Sequence, residues 1–94
     1  MNDKPLTTYI VAFYADNPAT HQCVIDALKI YGHYCPIHNN CWAIQTDMDA
    51  RSICMHLQTS INNRGSVFVI RSGVEAAWIN TYGEKNSAWL RENL

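Results

Sequence analysis

"HYCPIHNNCWAIQT", residues 33–46, is the stretch on which the fold turns. It splits at His38-Asn39-Asn40, and paired asparagines suit the positive φ values of a tight hairpin turn. The flanking runs read as strands, the second from Cys41 to Thr46. Pro36 has no amide hydrogen to give a ladder, so the first of the two belongs at a sheet edge or in an irregular stretch. A hairpin here, with helical periodicity on both sides of it, joins two strand–helix units.

Toward the N-terminus, "TYIVAFYA" (8–15) is rich in β-branched and aromatic residues and reads as a central strand. Alternation puts Tyr9, Val11 and Phe13 on one face and Ile10, Ala12 and Tyr14 on the other. Both faces are apolar, so both need cover. Asn17-Pro18 then marks a helix start, Asn at the cap and Pro in the first turn. Val24, Ala27, Leu28 and Tyr31 form its apolar stripe, and Gly32 ends it. Toward the C-terminus, Asp47 or Asp49 caps a second helix in which Ala50, Ile53, Cys54, Leu57 and Ile61 recur at helical spacing. "NNRG" (62–65) breaks it, and "SVFVIR" (66–71) is the fourth strand. The order β-α-β-β-α-β predicts an α+β fold of the ferredoxin-like type, with residues 1–7 a flexible tail and 8–94 one domain. That arrangement stacks both helices on one sheet face. The segment 74–94, in which Ser87 is placed to cap a short helix carrying Trp89 and Leu90, is then the cover for the other face.

Of the 94 residues 48% are hydrophobic and only 16% charged, which is low for a small isolated domain and points to an apolar surface covered by a partner, most simply a second copy. The net charge of −1, with seven Lys and Arg and no two adjacent, excludes nucleic-acid binding by bulk phosphate neutralisation. No run is long enough to span a membrane and no secretory leader is evident, so a cytoplasmic protein with no membrane partner is expected. His33, Cys35, His38 and Cys41 bring four metal-ligand types close together. Zinc ligands normally come as two pairs separated by a longer spacer that lets them converge. The compressed H-x-C-x2-H-x2-C spacing reads instead as two thiols on neighbouring strands and two hairpin histidines. His21 and His56 are expected on outer helix faces. The tryptophans and tyrosines, with few basic residues among them, read as core and interface rather than as base-stacking platforms.

The chain resembles the SinR-like branch of the CRISPR-associated protein two family, small ferredoxin-like dimers. The resemblance runs from about Thr8 to Leu94 and rests on "TYIVAFYADNP", "ALKIYG", the tryptophan of "CWAIQT", "VFVIRSGVEAAW" and "SAWLRENL". It implies a homodimer paired through the sheets and, in members that cut RNA or DNA, an aspartate at the end of the first strand from each subunit. Carboxylates paired across a two-fold axis hold Mg²⁺, which activates water. In ungapped register that position is Tyr14, and a phenol with a pKa near ~10 does not replace a carboxylate ligand. Asp16 follows two residues later, about 6–7 Å further along if the strand continues. It is the one candidate catalytic or Mg²⁺-binding residue; the rival reading makes it support for the adjacent helix N-terminus. Arg64 and Arg71, flanking the fourth strand, are the candidate phosphate contacts. Three functions follow as expectations: a nucleic-acid- or defence-associated dimer without clear nuclease activity, a catalytically silent structural dimer, or a metal-dependent endoribonuclease of toxin–antitoxin type acting through Asp16.

Overall fold

The computed structural model describes residues 5–62, 64–73 and 84–93. Seven elements follow one another: β1 (Thr7–Ala15), α1 (Pro18–Lys29), β2 (His33–His38), β3 (Cys41–Thr46), α2 (Ala50–Ile61), β4 (Gly65–Arg71) and α3 (Glu84–Asn93). The molecule is thus α+β, a four-stranded antiparallel sheet in the order β2-β3-β1-β4 with three helices. This is compatible with the expected ferredoxin-like arrangement. Among the described residues no helix is long and apolar enough to cross a membrane.

The alternation along β1 sorts the sheet into two faces. Tyr9, Val11 and Phe13 are buried with Trp42 and Ile44 of β3 under α1 and α2. From the helices come Val24, Ala27 and Leu28 of α1 and Ile53, Leu57 and Ile61 of α2, the stripes that their 3.6-residue periodicity sets up. The caps are local chemistry. Asn17 Oδ1 accepts from the Thr20 amide at 2.8 Å and Asp49 Oδ1 from the Ser52 amide at 2.8 Å, each meeting an N–H that the helix leaves unpaired. Of the two candidate caps for α2, Asp49 is the one used. Asn62 closes α2 in the left-handed region at φ 49°.

The back face carries a second, smaller cluster. Cys35 and Ala43 are buried beneath Leu90 of α3, with Ile10, Ile37 and Trp89 packed around them. Polar contacts pin α3 in place: the Thr8 hydroxyl donates to the Asn93 carbonyl at 2.6 Å, the Asn86 amide donates to the Pro36 carbonyl at 3.2 Å, and the Cys35 thiol lies 3.5 Å from the Asn86 carbonyl. Helix α3 therefore covers the β2–β3 half of this face; residues 74–83 of the expected cover lie outside the described residues.

Three expectations need correction. The hairpin at Asn39-Asn40 closes without left-handed residues, Asn62 being the one non-glycine with positive φ among the described residues. The register shift between Pro36 and His38 accounts for this, because a bulge adds strand twist that a two-residue turn otherwise draws from positive φ. Helix α3 begins at Glu84, so Ser87 lies inside it rather than at its cap. And β1 begins at Thr7, one residue into the expected tail. Val74, Trp78 and Tyr82 lie outside the described residues.

Candidate functional site

The end of β1 is the place to which the sequence directs attention, and its geometry is set by two neighbours. On one side β4 is drawn tight: Gly65 pairs with Ala15, and the Asp16 amide donates to the Arg64 carbonyl at 2.9 Å. A Cβ on Gly65 would collide with the Tyr14 carbonyl, so this approach requires glycine. On the other side the Phe13 amide donates to the Asn40 carbonyl at 2.9 Å, and the Asn40 side-chain amide donates to the Phe13 carbonyl at 3.1 Å. The strand end is thereby fixed between the start of β4 and the β2–β3 turn.

Asp16 stands beyond the strand, in the bend that leads to α1. Its Oδ1 accepts from the Asn17 side-chain amide at 2.7 Å, while Asn17 Oδ1 caps Thr20. Asp16 thus orients the capping residue. Its Oδ2 lies 3.8 Å from the Arg64 guanidinium, in an exposed pair worth at most ~1 kcal/mol. Tyr14, the residue at the family's ligand position, is 59% exposed and pairs in register with Ser66. By alternation it belongs to the back face, and there it joins Phe68 and Ile70 of β4, 61% and 50% exposed. The paired positions Ala12–Phe68 and Ile10–Ile70 run across that half of the sheet, Ile10 reaching the edge of the cluster under α3 while Phe68 and Ile70 stay open.

The donor set fits Mg²⁺ poorly. Among the described residues one chain brings a single carboxylate to the strand end, and Arg64 places a competing positive charge beside it. No group of three or more His, Cys, Asp or Glu converges among the described residues. The compressed His/Cys run is dispersed: Cys35 is buried under α3, Cys41 is half-buried at the start of β3, and His33 and His38 occupy the two exposed ends of β2. Burial pushes both thiols above the usual cysteine range, opposite to the shift that a thiolate ligand needs. Arg64 and Arg71 bracket β4 at opposite ends, roughly 20 Å apart at the rise of a strand, and do not form one patch.

The two helix histidines do not sit on outer faces, as the apolar stripes alone had indicated. His56 is half-buried, with Nδ1 2.7 Å from the Tyr31 hydroxyl, tying α2 to the end of α1. Burial raises the Tyr31 pKa and keeps its phenol protonated. His21 packs against Phe13 with ring centroids 5.1 Å apart, and its Nε2 is shut off from solvent with no hydrogen-bond partner. His21 also lines a depression of about 750 Å³ together with Phe13, Tyr14, Asp16, Gln22 and Asn40. The depression is formed where "FYADNP" and the asparagine turn are brought side by side by the strand order, which no local sequence pattern displays.

No protein-family model, no curated protein and no solved structure matches this chain.

Proposed function

We propose that this chain is a ferredoxin-like, homodimer-forming, nucleic-acid-associated module of the SinR-like type, in which the strand-end carboxylate supports a helix cap and does not cut. The observation that carries the dimer is the divided back face. Helix α3 buries the β2–β3 half, whereas Tyr14, Phe68 and Ile70 leave half or more of their surface open on the β1–β4 half. Large apolar groups side by side at a sheet edge mark an interaction surface, and a second copy brings an identical, self-complementary patch. Tyr14, rather than a carboxylate, then stands within that interface. The nucleic-acid association rests on the sequence resemblance, with Arg64 and Arg71 as its contacts. The cytoplasm is its expected place.

A second reading, metal-dependent endoribonuclease, is favoured by one feature: Asp16 lines a depression at the strand end. Two measurements separate the readings. Light scattering at micromolar concentration is expected to give about twice the 10.7 kDa chain mass, and Phe68→Lys with Ile70→Lys to give a folded monomer. Incubation of RNA and DNA with Mg²⁺ or Mn²⁺ is expected to show no cleavage above background. A wild-type monomer overturns the dimer. Metal-dependent cleavage that Asp16→Ala abolishes with the fold intact promotes the nuclease reading.

A further inference from the structure

The depression at the end of β1 borders the proposed dimer surface at Tyr14, but its polar walls are not used by the dimer. Its walls combine aromatic surface from Phe13, Tyr14 and His21 with the amides of Gln22 and Asn40 and the carboxylate of Asp16, and no Lys or Arg lines it. A site for a phosphate would need cations or free amide hydrogens. Here Pro18 has no amide hydrogen to offer, the Thr20 amide is already taken by Asn17, and Arg64 beside the depression faces the Asp16 carboxylate, which repels an anion. Such walls suit a planar, uncharged heterocycle that stacks on a ring and is read by hydrogen bonds at its edge.

The edge can be specified. An ionised carboxylate only accepts, with about four lone-pair positions on its two oxygens. In Asp16 one of these holds the Asn17 amide, and Oδ2 has only a 3.8 Å ion pair with exposed Arg64, leaving acceptor capacity open. The complementary partner presents two adjacent N–H donors and no acceptor between them. Among the nucleobases guanine does so, through N1–H and the N2 amino group. Adenine and cytosine each place an acceptor beside their amino group, and uracil offers one donor between two acceptors.

We infer that this depression binds a guanine base, with Asp16 accepting from N1–H and N2–H and the His21 ring supplying a stacking face. The inference deepens the nucleic-acid reading above and rests on it only for the strand-borne ligand, since a free guanosine nucleoside carries the same edge. Asp16 then has two tasks that are compatible in geometry, holding the cap of α1 through Oδ1 and reading the base with its remaining lone pairs.

The test is titration of isotopically labelled, full-length protein with guanosine, adenosine, cytidine and uridine, followed by amide chemical shifts. A second arm uses a ten-nucleotide oligouridine with and without one central guanosine. Guanosine, or the guanosine-bearing strand, is expected to move the amides of residues 13–22 and 39–40, at least about tenfold more tightly than the other bases. Asp16→Asn keeps an oxygen for the Asn17 amide but presents a donor to the base, and is expected to lose about tenfold or more in affinity with melting temperature nearly unchanged. Should that variant fail to fold, 1-methylguanosine and inosine on the wild type give the same information, each losing one donor and each expected to bind more weakly. Equal response to all four bases, shifts confined to other surfaces, or full binding of 1-methylguanosine overturns the inference. Oligonucleotide binding without guanosine preference sinks it while leaving the nucleic-acid reading intact; guanosine binding without any strand binding does the reverse.

Discussion

Truncating Leu90 to alanine measures how firmly α3 belongs to the sheet. Leu90 is 1% exposed and sits over Cys35 and Ala43, so removing its isobutyl group leaves a void in the smaller of the two clusters. Buried Leu→Ala changes cost ~2–5 kcal/mol, and the lower half applies where walls can relax into the space. Ile10, Ile37 and Trp89 are only partly buried and can do so, which places the expected cost at ~2–3 kcal/mol. A domain of this size holds only ~5–15 kcal/mol in all, and each kcal/mol moves the midpoint by ~4–8 °C, so a fall of roughly 10–20 °C is expected in thermal melts at fixed protein concentration. The cysteines supply an independent readout. Cys23 is exposed and should react at once with a thiol reagent, whereas Cys35 is buried under α3 and its thiol is held protonated by that burial. Leu90→Ala should speed labelling of Cys35 by tenfold or more and leave Cys23 unchanged. A stability loss below ~0.5 kcal/mol, with Cys35 still protected, would refute the placement of α3 as the cover of this face.

Tyr31→Phe removes the bond to His56 and should cost ~0.5–1.5 kcal/mol, seen in urea titration as a lower midpoint with unchanged slope; a neutral result would mean that the two helices are joined by packing alone. In alkali the sign follows from burial: Cys35, Cys41 and Tyr31 all have folded pKa values above their unfolded ones, so their contribution is complete below about pH 9 and declines as pH rises through the folded values, the tyrosine part being absent in Tyr31→Phe. Asp49 has the opposite sign, its carboxyl held below the usual range mainly by the Ser52 amide, so the stability it gives is present above the ordinary carboxylate pKa and lost as pH falls through the folded value; acid titration of melting temperature should be flatter in Asp49→Asn.

Much of this architecture can be read from residue order because each element has one periodicity and one set of stops. The alternation in β1 and the 3.6-residue stripe of α2 each commit a face to the core, and both faces are found where the pattern puts them. The asparagine cap of α1 and the aspartate cap of α2 act through bonds spanning three residues, within the range that a sequence displays. What the sequence hides depends on distant partners. A stripe drawn from apolar residues assigns His21 and His56 to the outside, yet Phe13 and Tyr31, from other elements, bring both rings inward. The conformation of the asparagine turn depends on a bulge in the strand before it, and no local pattern in "NN" reports that. The depression at the strand end is built by strand order, since residues 13–22 and 39–40 meet only when β1 lies beside β3.

The two residues on which the proposed function turns, Tyr14 and Asp16, are separated by the place where β1 stops. Tyr14 still obeys strand alternation and therefore shares the open back face with Phe68 and Ile70. Asp16 does not, because its amide is drawn to Arg64, and its side chain turns to the cap of α1. Continued strand would have aimed both to the same side; the bend turns Asp16 toward the helix cap while Tyr14 stays on the sheet face, and both border the depression. A two-fold axis through the open face would therefore bring phenols toward each other while the carboxylates stay with their own helix starts. On the function proposed above, a chain with net charge −1 and no basic cluster would contact a nucleic acid through one base at an acceptor-rich edge rather than through its phosphates.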